Sequence, residues 1–140
     1  AVVVDPKKPV IKNGAFSFNA EEPHYVVMWL DKVDPVFISE ARNAFNRYNR
    51  EKSAVEPLEI VRDTLDKDRT LLVFRQFGNA AAAYKYNERV RRDALVEISW
   101  LPANKYSFFI ISQANLDILK ENKDFAGYVT LLSKALPTIQ

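Results

Sequence analysis

The chain has 140 residues, of which 48% are hydrophobic and 27% charged, with a formal net charge of +2. That is the composition of a single folded domain able to bury its own core, not of a disordered segment. So small a charge gives no ground for nucleic-acid binding, the absence of cysteine removes disulfides and thiolate metal sites, and no apolar run reaches membrane-spanning length.

Ala1 is not a start methionine and no signal sequence follows it, so the chain reads as an excised segment of something longer. Residues 1–22 read as a lead-in arm: Pro6, Pro9, Lys7, Lys8 and Lys12 suit an exposed stretch, and Ala15 to Asn19 alternates enough for a short edge strand. Residues 23–140 read as one domain. "HYVVMWL" (His24 to Leu30) is a strong strand, apolar on both alternating sets. Asp34-Pro35 then starts a helix, because Asp34 can accept from free N–H groups and Pro35 lacks the donor that the first helical position leaves unused. Ile38, Ala41, Phe45 and Tyr48 form its apolar face, opposite Glu40, Arg42, Asn43, Arg47 and Arg50.

Pro57 ends that helical region, and Leu58 to Leu65 reads as a second strand joined through the turn "DKDR" to a third, Thr70 to Phe77. Gly78-Asn79 leads into a helix in which Ala83, Tyr84, Asn87 and Val90 share a face, and its four alanines would let it lie close on the sheet. Asp93 to Leu101 fits either helix or strand. Tyr106 to Ser112 is a fourth strand, Ser112 caps a short helix with Leu116 and Leu119 inward, and a last helix from about Asp124 carries Phe125, Tyr128, Val129, Leu132 and Leu136 on one stripe.

The order β-α-β-β-α-β followed by two short helices predicts an α+β fold, a ferredoxin-like sandwich with two additional C-terminal helices. Such a sheet carries helices on one side only, so its strands should alternate apolar and polar. Here both faces are apolar: Tyr25, Val27 and Trp29 back Val26, Met28 and Leu30. Either the C-terminal helices fold back over the second face or a partner covers it.

Little reactive chemistry is visible. His24 is the lone histidine, so a metal cluster or a histidine-based triad has little to draw on. Asp63, Asp66 and Asp68 bunch near a hairpin turn and read more simply as solvated than as a cation site. Three glycines leave no phosphate loop or dinucleotide fingerprint. Arg89, Arg91 and Arg92 near Tyr84 and Tyr86 suggest a basic-aromatic patch. The RNA-recognition signature that would go with it is missing from "TLLVFRQF", and a salt-bridged helix face explains the arginines. No enzyme activity, cofactor, metal or nucleic-acid partner is expected.

"PHYVVMWLDK", a helix ending "FNRYNRE", then "LLVFRQFGNAAAAYKY" and "YSFFIISQANLDILKENKDFAGYVTLL" follow one another in an order that resembles the C-terminal domain of Bacteroidota tetratricopeptide-repeat envelope proteins. These are the SprE/PorW-like lipoproteins of gliding motility and type IX secretion, and the resemblance spans about residues 16 to 136. It implies a non-catalytic protein-interaction domain whose partners are envelope proteins of a secretion or motility complex, placed in the periplasm or at the outer membrane. On that reading Arg42, Arg47, Arg89 and Arg92, projecting from the polar sides of the helices, form the interaction surface. Tyr25 to Arg91 also resembles a SPOR domain, a βαββαβ module that binds peptidoglycan bared of stem peptides. A SPOR sheet presents a polar glycan-binding face, which this sequence lacks. An ACT-like regulatory domain would want a glycine-rich turn where "LDKVDPV" stands.

Overall fold

A computed structural model of the chain describes residues 11–52 and 59–138; Pro6, Lys7, Lys8, Pro9 and Pro57 fall outside them. Among the described residues, β1 (Ile11–Asn13) and β2 (Phe16–Phe18) form a short hairpin. β3 (His24–Asp31), β4 (Glu59–Thr64), β5 (Arg69–Phe77) and β6 (Tyr106–Ser112) make a four-stranded sheet in the order β4-β5-β3-β6, antiparallel at every step. Helices α1 (Pro35–Lys52), α2 (Ala80–Glu97), α3 (Gln113–Asn122) and α4 (Phe125–Ala135) complete an α+β domain.

Side-chain caps set where the helices begin. Asp34 accepts from the Val36 N–H at 2.9 Å, Asn79 from Ala82 at 2.9 Å, Ser112 from Asn115 at 3.3 Å and Asp124 from Gly127 at 3.0 Å. Each satisfies a donor that the first helical turn leaves free. A Cβ at Gly127 would crowd the carboxylate of Asp124, so a larger residue there would have to turn the cap side chain. Gly78 meets no such crowding: open space surrounds it, and the cap on Asn79 makes the turn into α2. Of the four alanines, Ala80 and Ala83 are fully buried while Ala81 and Ala82 are exposed, so two of them give the close approach.

Sheet register sorts the side chains into two faces. Val26, Met28 and Leu30 lie beside Phe74, Leu72, Phe108 and Ile110, under α1 and α2. Phe45 of α1 fills the middle of that layer, its ring edge-on to Phe74 at 5.7 Å and to Phe108 at 5.8 Å. Tyr25, Val27 and Trp29 lie on the other face with Phe109 and Ile111. There Trp29 meets Phe125 of α4 at 4.3 Å, and Phe109 meets Phe125 at 5.2 Å and Tyr128 at 5.9 Å. The C-terminal helices do fold back. Every residue from His24 to Leu30 is consequently buried.

Several details differ from the sequence-based expectation. The strand within 15–19 belongs to the hairpin and not to an edge of the main sheet. Its Phe16 and Phe18 are buried, with Phe16 5.3 Å from the ring of Tyr128. Asn115 clamps this hairpin to α3, accepting from the Ser17 N–H at 3.2 Å and donating to the Ser17 carbonyl at 2.8 Å, as a neighbouring strand would. The ambiguous stretch prolongs α2 to Glu97, then turns through Ile98 to Leu101. In α4 Leu131 is buried and Val129 exposed, and in α2 Tyr86 is buried where Tyr84 is only partly so.

Candidate interaction surface

The last turns of α1 and the middle of α2 enclose a polar cluster. Tyr48 and Asn49 end the inner side of α1, and Tyr86, Arg89 and Asp93 follow at spacings of three and four along α2, which stacks them on one face. Tyr48 donates to Asp93 at 2.6 Å, Tyr86 donates to the Asn49 side-chain oxygen, and the Arg89 guanidinium lies 5.3 Å from the Tyr86 ring and 6.0 Å from that of Tyr48. Burial, then the bond to Asp93, pushes the Tyr48 hydroxyl up to about 12. The Tyr48 bond, then the Arg92 bond, holds the Asp93 carboxyl below its ordinary range. Both groups thus stay in their resting protonation states at neutral pH, the opposite of what proton transfer asks. The cluster joins two helices.

The four arginines singled out in sequence do not converge. Arg42 turns its Nε onto the Ile60 carbonyl at 3.2 Å, covering the outer edge of β4, and Arg89 is half-buried between the helices. Arg47 and Arg92 are exposed, Arg92 pairing with Asp93 at 3.1 Å. His24 is a core residue: its Nδ1 donates to the Glu22 carbonyl at 2.8 Å, its ring lies 5.3 Å from Phe18, and burial lowers its pKa. The acids near the hairpin turn are engaged, Asp66 within the turn with Arg69 at 2.6 Å and Asp63 with Lys120 of α3 at 2.7 Å. Among the described residues no group of three His, Asp or Glu side chains could hold a metal ion, and no helix is long and apolar enough to cross a membrane.

What the surface does offer is aromatic. Phe37, on the outer side of α1, is 50% exposed and lies 5.8 Å from Trp100, itself 46% exposed in the turn after α2. With Val33, Leu101 and Pro102 they line a depression of about 290 Å³ rimmed by Lys32, Asp34 and Lys105. Val36 beside Phe37 and Leu95 and Val96 at the end of α2 are more exposed still. Tryptophan and phenylalanine are enriched where proteins meet, because their rings supply much contact area for little conformational entropy. Sequence reasoning missed this pair because Phe37 lies off the buried stripe of α1 and Trp100 sat in the unassigned stretch. An exposed aromatic next to a helix cap was the available signal. Comparisons with protein-family models, with curated proteins and with solved structures find nothing that matches this chain.

Proposed function

We propose that the chain is a non-catalytic protein-interaction domain of a bacterial cell-envelope component, of the secretion and gliding-motility kind that its ordered motifs resemble. It would work in the periplasm or at the outer membrane as part of a lipoprotein. The strand order β4-β5-β3-β6, with α1 and α2 as crossovers, supports a ferredoxin-like sandwich extended by α3 and α4. The observation that carries the reading is the exposed Phe37–Trp100 pair above its lysine-rimmed depression, in a domain whose polar cluster is set for packing. In a SPOR-like reader of bared glycan the sheet would have to offer a face. Here α4 and the β1–β2 hairpin occupy that side, which weighs for protein over glycan.

Co-sedimentation with purified sacculi, before and after amidase treatment, tests the choice. The domain should stay in the supernatant in both cases. Sedimentation that persists at high salt and rises with amidase treatment would replace this reading with the glycan-binding one.

A further inference from the structure

Each outer edge of the sheet has one backbone carbonyl closed by a side chain, and the two edges differ in what lies beside the remaining groups. Neighbouring residues of an antiparallel strand turn their N–H and C=O groups alternately toward one flank and the other. Lys32 donates to the Asp68 carbonyl at 2.6 Å, continuing the β3–β5 ladder, so Leu30, Met28 and Val26 direct their backbone groups at β5. Trp29, Val27 and Tyr25 therefore serve β6, through Ser107, Phe109 and Ile111. Tyr106, Phe108 and Ile110 must then turn their backbone groups outward, away from the sheet. Tyr128 confirms the parity independently, since its hydroxyl donates to the Ile110 carbonyl at 2.6 Å.

On β4 the same argument turns Ile60 and Arg62 outward, and Arg42 covers the Ile60 carbonyl there. Such closure by charged side chains is how sheet edges avoid unwanted pairing. On β6 Tyr128 closes the edge at Ile110. The N–H and C=O groups of Tyr106 and Phe108 make no hydrogen bond outside the sheet among the described residues. Beside them runs a groove of about 620 Å³ between β6 and the flank of α2, lined by Arg91, Arg92, Leu95, Tyr106 and Phe108, with Glu88 at its side. Arg91 pairs with Glu88 and Arg92 with Asp93, but both guanidiniums are more exposed (61% and 73%) than those carboxylates (37% and 29%), so positive charge is what the groove presents. Leu95 adds an exposed apolar side chain.

We infer that this groove is a strand-addition site, where an extended acidic segment of a partner protein pairs with Tyr106 and Phe108 and turns acidic and apolar side chains toward Arg91, Arg92 and Leu95. Main-chain bonds would fix the segment on the edge, and the α2 flank would choose its side chains. Closure at Ile110 limits the pairing to the first half of β6, so the mode suits a short segment. The inference rests on the protein-interaction reading and names a mode for it.

The test uses two end-blocked six-residue peptides of alternating valine and glutamate, or valine and lysine, titrated into the domain while backbone amide resonances are followed. The glutamate peptide should shift the Tyr106 and Phe108 amides and slow their hydrogen exchange, and the lysine peptide should bind at least about tenfold more weakly. The double variant Arg91→Glu with Arg92→Glu alters exposed side chains, so it should keep the parent's circular dichroism and backbone amide spectrum away from the groove while reversing the preference. No binding of the glutamate peptide at millimolar concentration, shifts confined to the Phe37–Trp100 depression, or an unreversed preference would overturn the inference. So would dimerisation of the free domain through β6, seen as a doubled mass in sedimentation. These failures leave the sacculus result untouched, whereas sedimentation with sacculi would remove the protein-interaction reading itself.

Discussion

Tyr128 is the side chain through which α4 holds the second face of the sheet, and two substitutions separate its roles. Its ring is fully buried between Phe16 at 5.3 Å and Phe109 at 5.9 Å, and its hydroxyl donates to the Ile110 carbonyl at 2.6 Å. Tyr128→Phe keeps the ring and removes the one bond, leaving a backbone carbonyl short of a partner at the sheet edge. That should cost about 1–3 kcal/mol. Tyr128→Ala also removes the ring from between the hairpin and the sheet, and by analogy with other large-to-small core changes should cost about 3–5 kcal/mol. Urea unfolding monitored by tryptophan fluorescence measures both, provided that the slopes match the parent's so that midpoints report stability. A domain of this size is typically stable by about 5–15 kcal/mol, so the alanine variant should remain foldable but with a clearly lower midpoint. If Tyr128→Phe is neutral and Tyr128→Ala costs less than about 1 kcal/mol, α4 does not seal the sheet and the account of the second face is wrong.

Three further outcomes follow from the same packing. Ala83 is fully buried against the sheet, so Ala83→Leu should lose about 1–3 kcal/mol in denaturant melts by overpacking; a neutral result would mean that α2 is rotated. Asn115→Ala strands both the N–H and the C=O of Ser17 and should cost about 1–3 kcal/mol, with protease sensitivity rising at the β1–β2 hairpin; unchanged proteolysis there would refute the clamp. His24 is held neutral by burial, below its ordinary 6.5, so the unfolded chain takes up a proton that the fold resists. Stability should therefore fall as pH drops from about 7.5 toward 5, by at most about 1.4 kcal/mol per pH unit for one proton. A His24→Asn variant should lose that slope, and an unchanged slope would place the titrating group elsewhere.

The fold was legible where chemistry is local. Asp34-Pro35, Asn79, Ser112 and Asp124 announce helix starts through cap residues, and the DKDR turn closes through Asp66 on Arg69. The two-faced apolar character of β3 correctly required a second cover, because a single helix layer cannot bury both alternating sets. The hairpin's share of that cover was not legible. Phe16 and Phe18 are two apolar residues in a polar stretch, and only a long-range contact with Tyr128 and the Asn115 clamp makes them core. The internal contacts of two of the arginines were not legible for a related reason. Arg42 and Arg89 sit at polar helical positions, yet a guanidinium on a long stem can turn back onto a strand carbonyl or tyrosine rings, which periodicity does not record. The Phe37–Trp100 pair escaped because it joins residues 63 positions apart, brought together at one end of two helices.

Site-specific photo-crosslinking tests the proposed function most directly. A diazirine side chain in place of Trp100, irradiated in living cells of the source organism, should yield discrete adducts whose partner is an envelope protein. They should disappear with Phe37→Ser, and should be absent when the crosslinker replaces Arg50 on the exposed side of α1. Adducts to glycan, or the same adducts from both positions regardless of Phe37, would contradict the account.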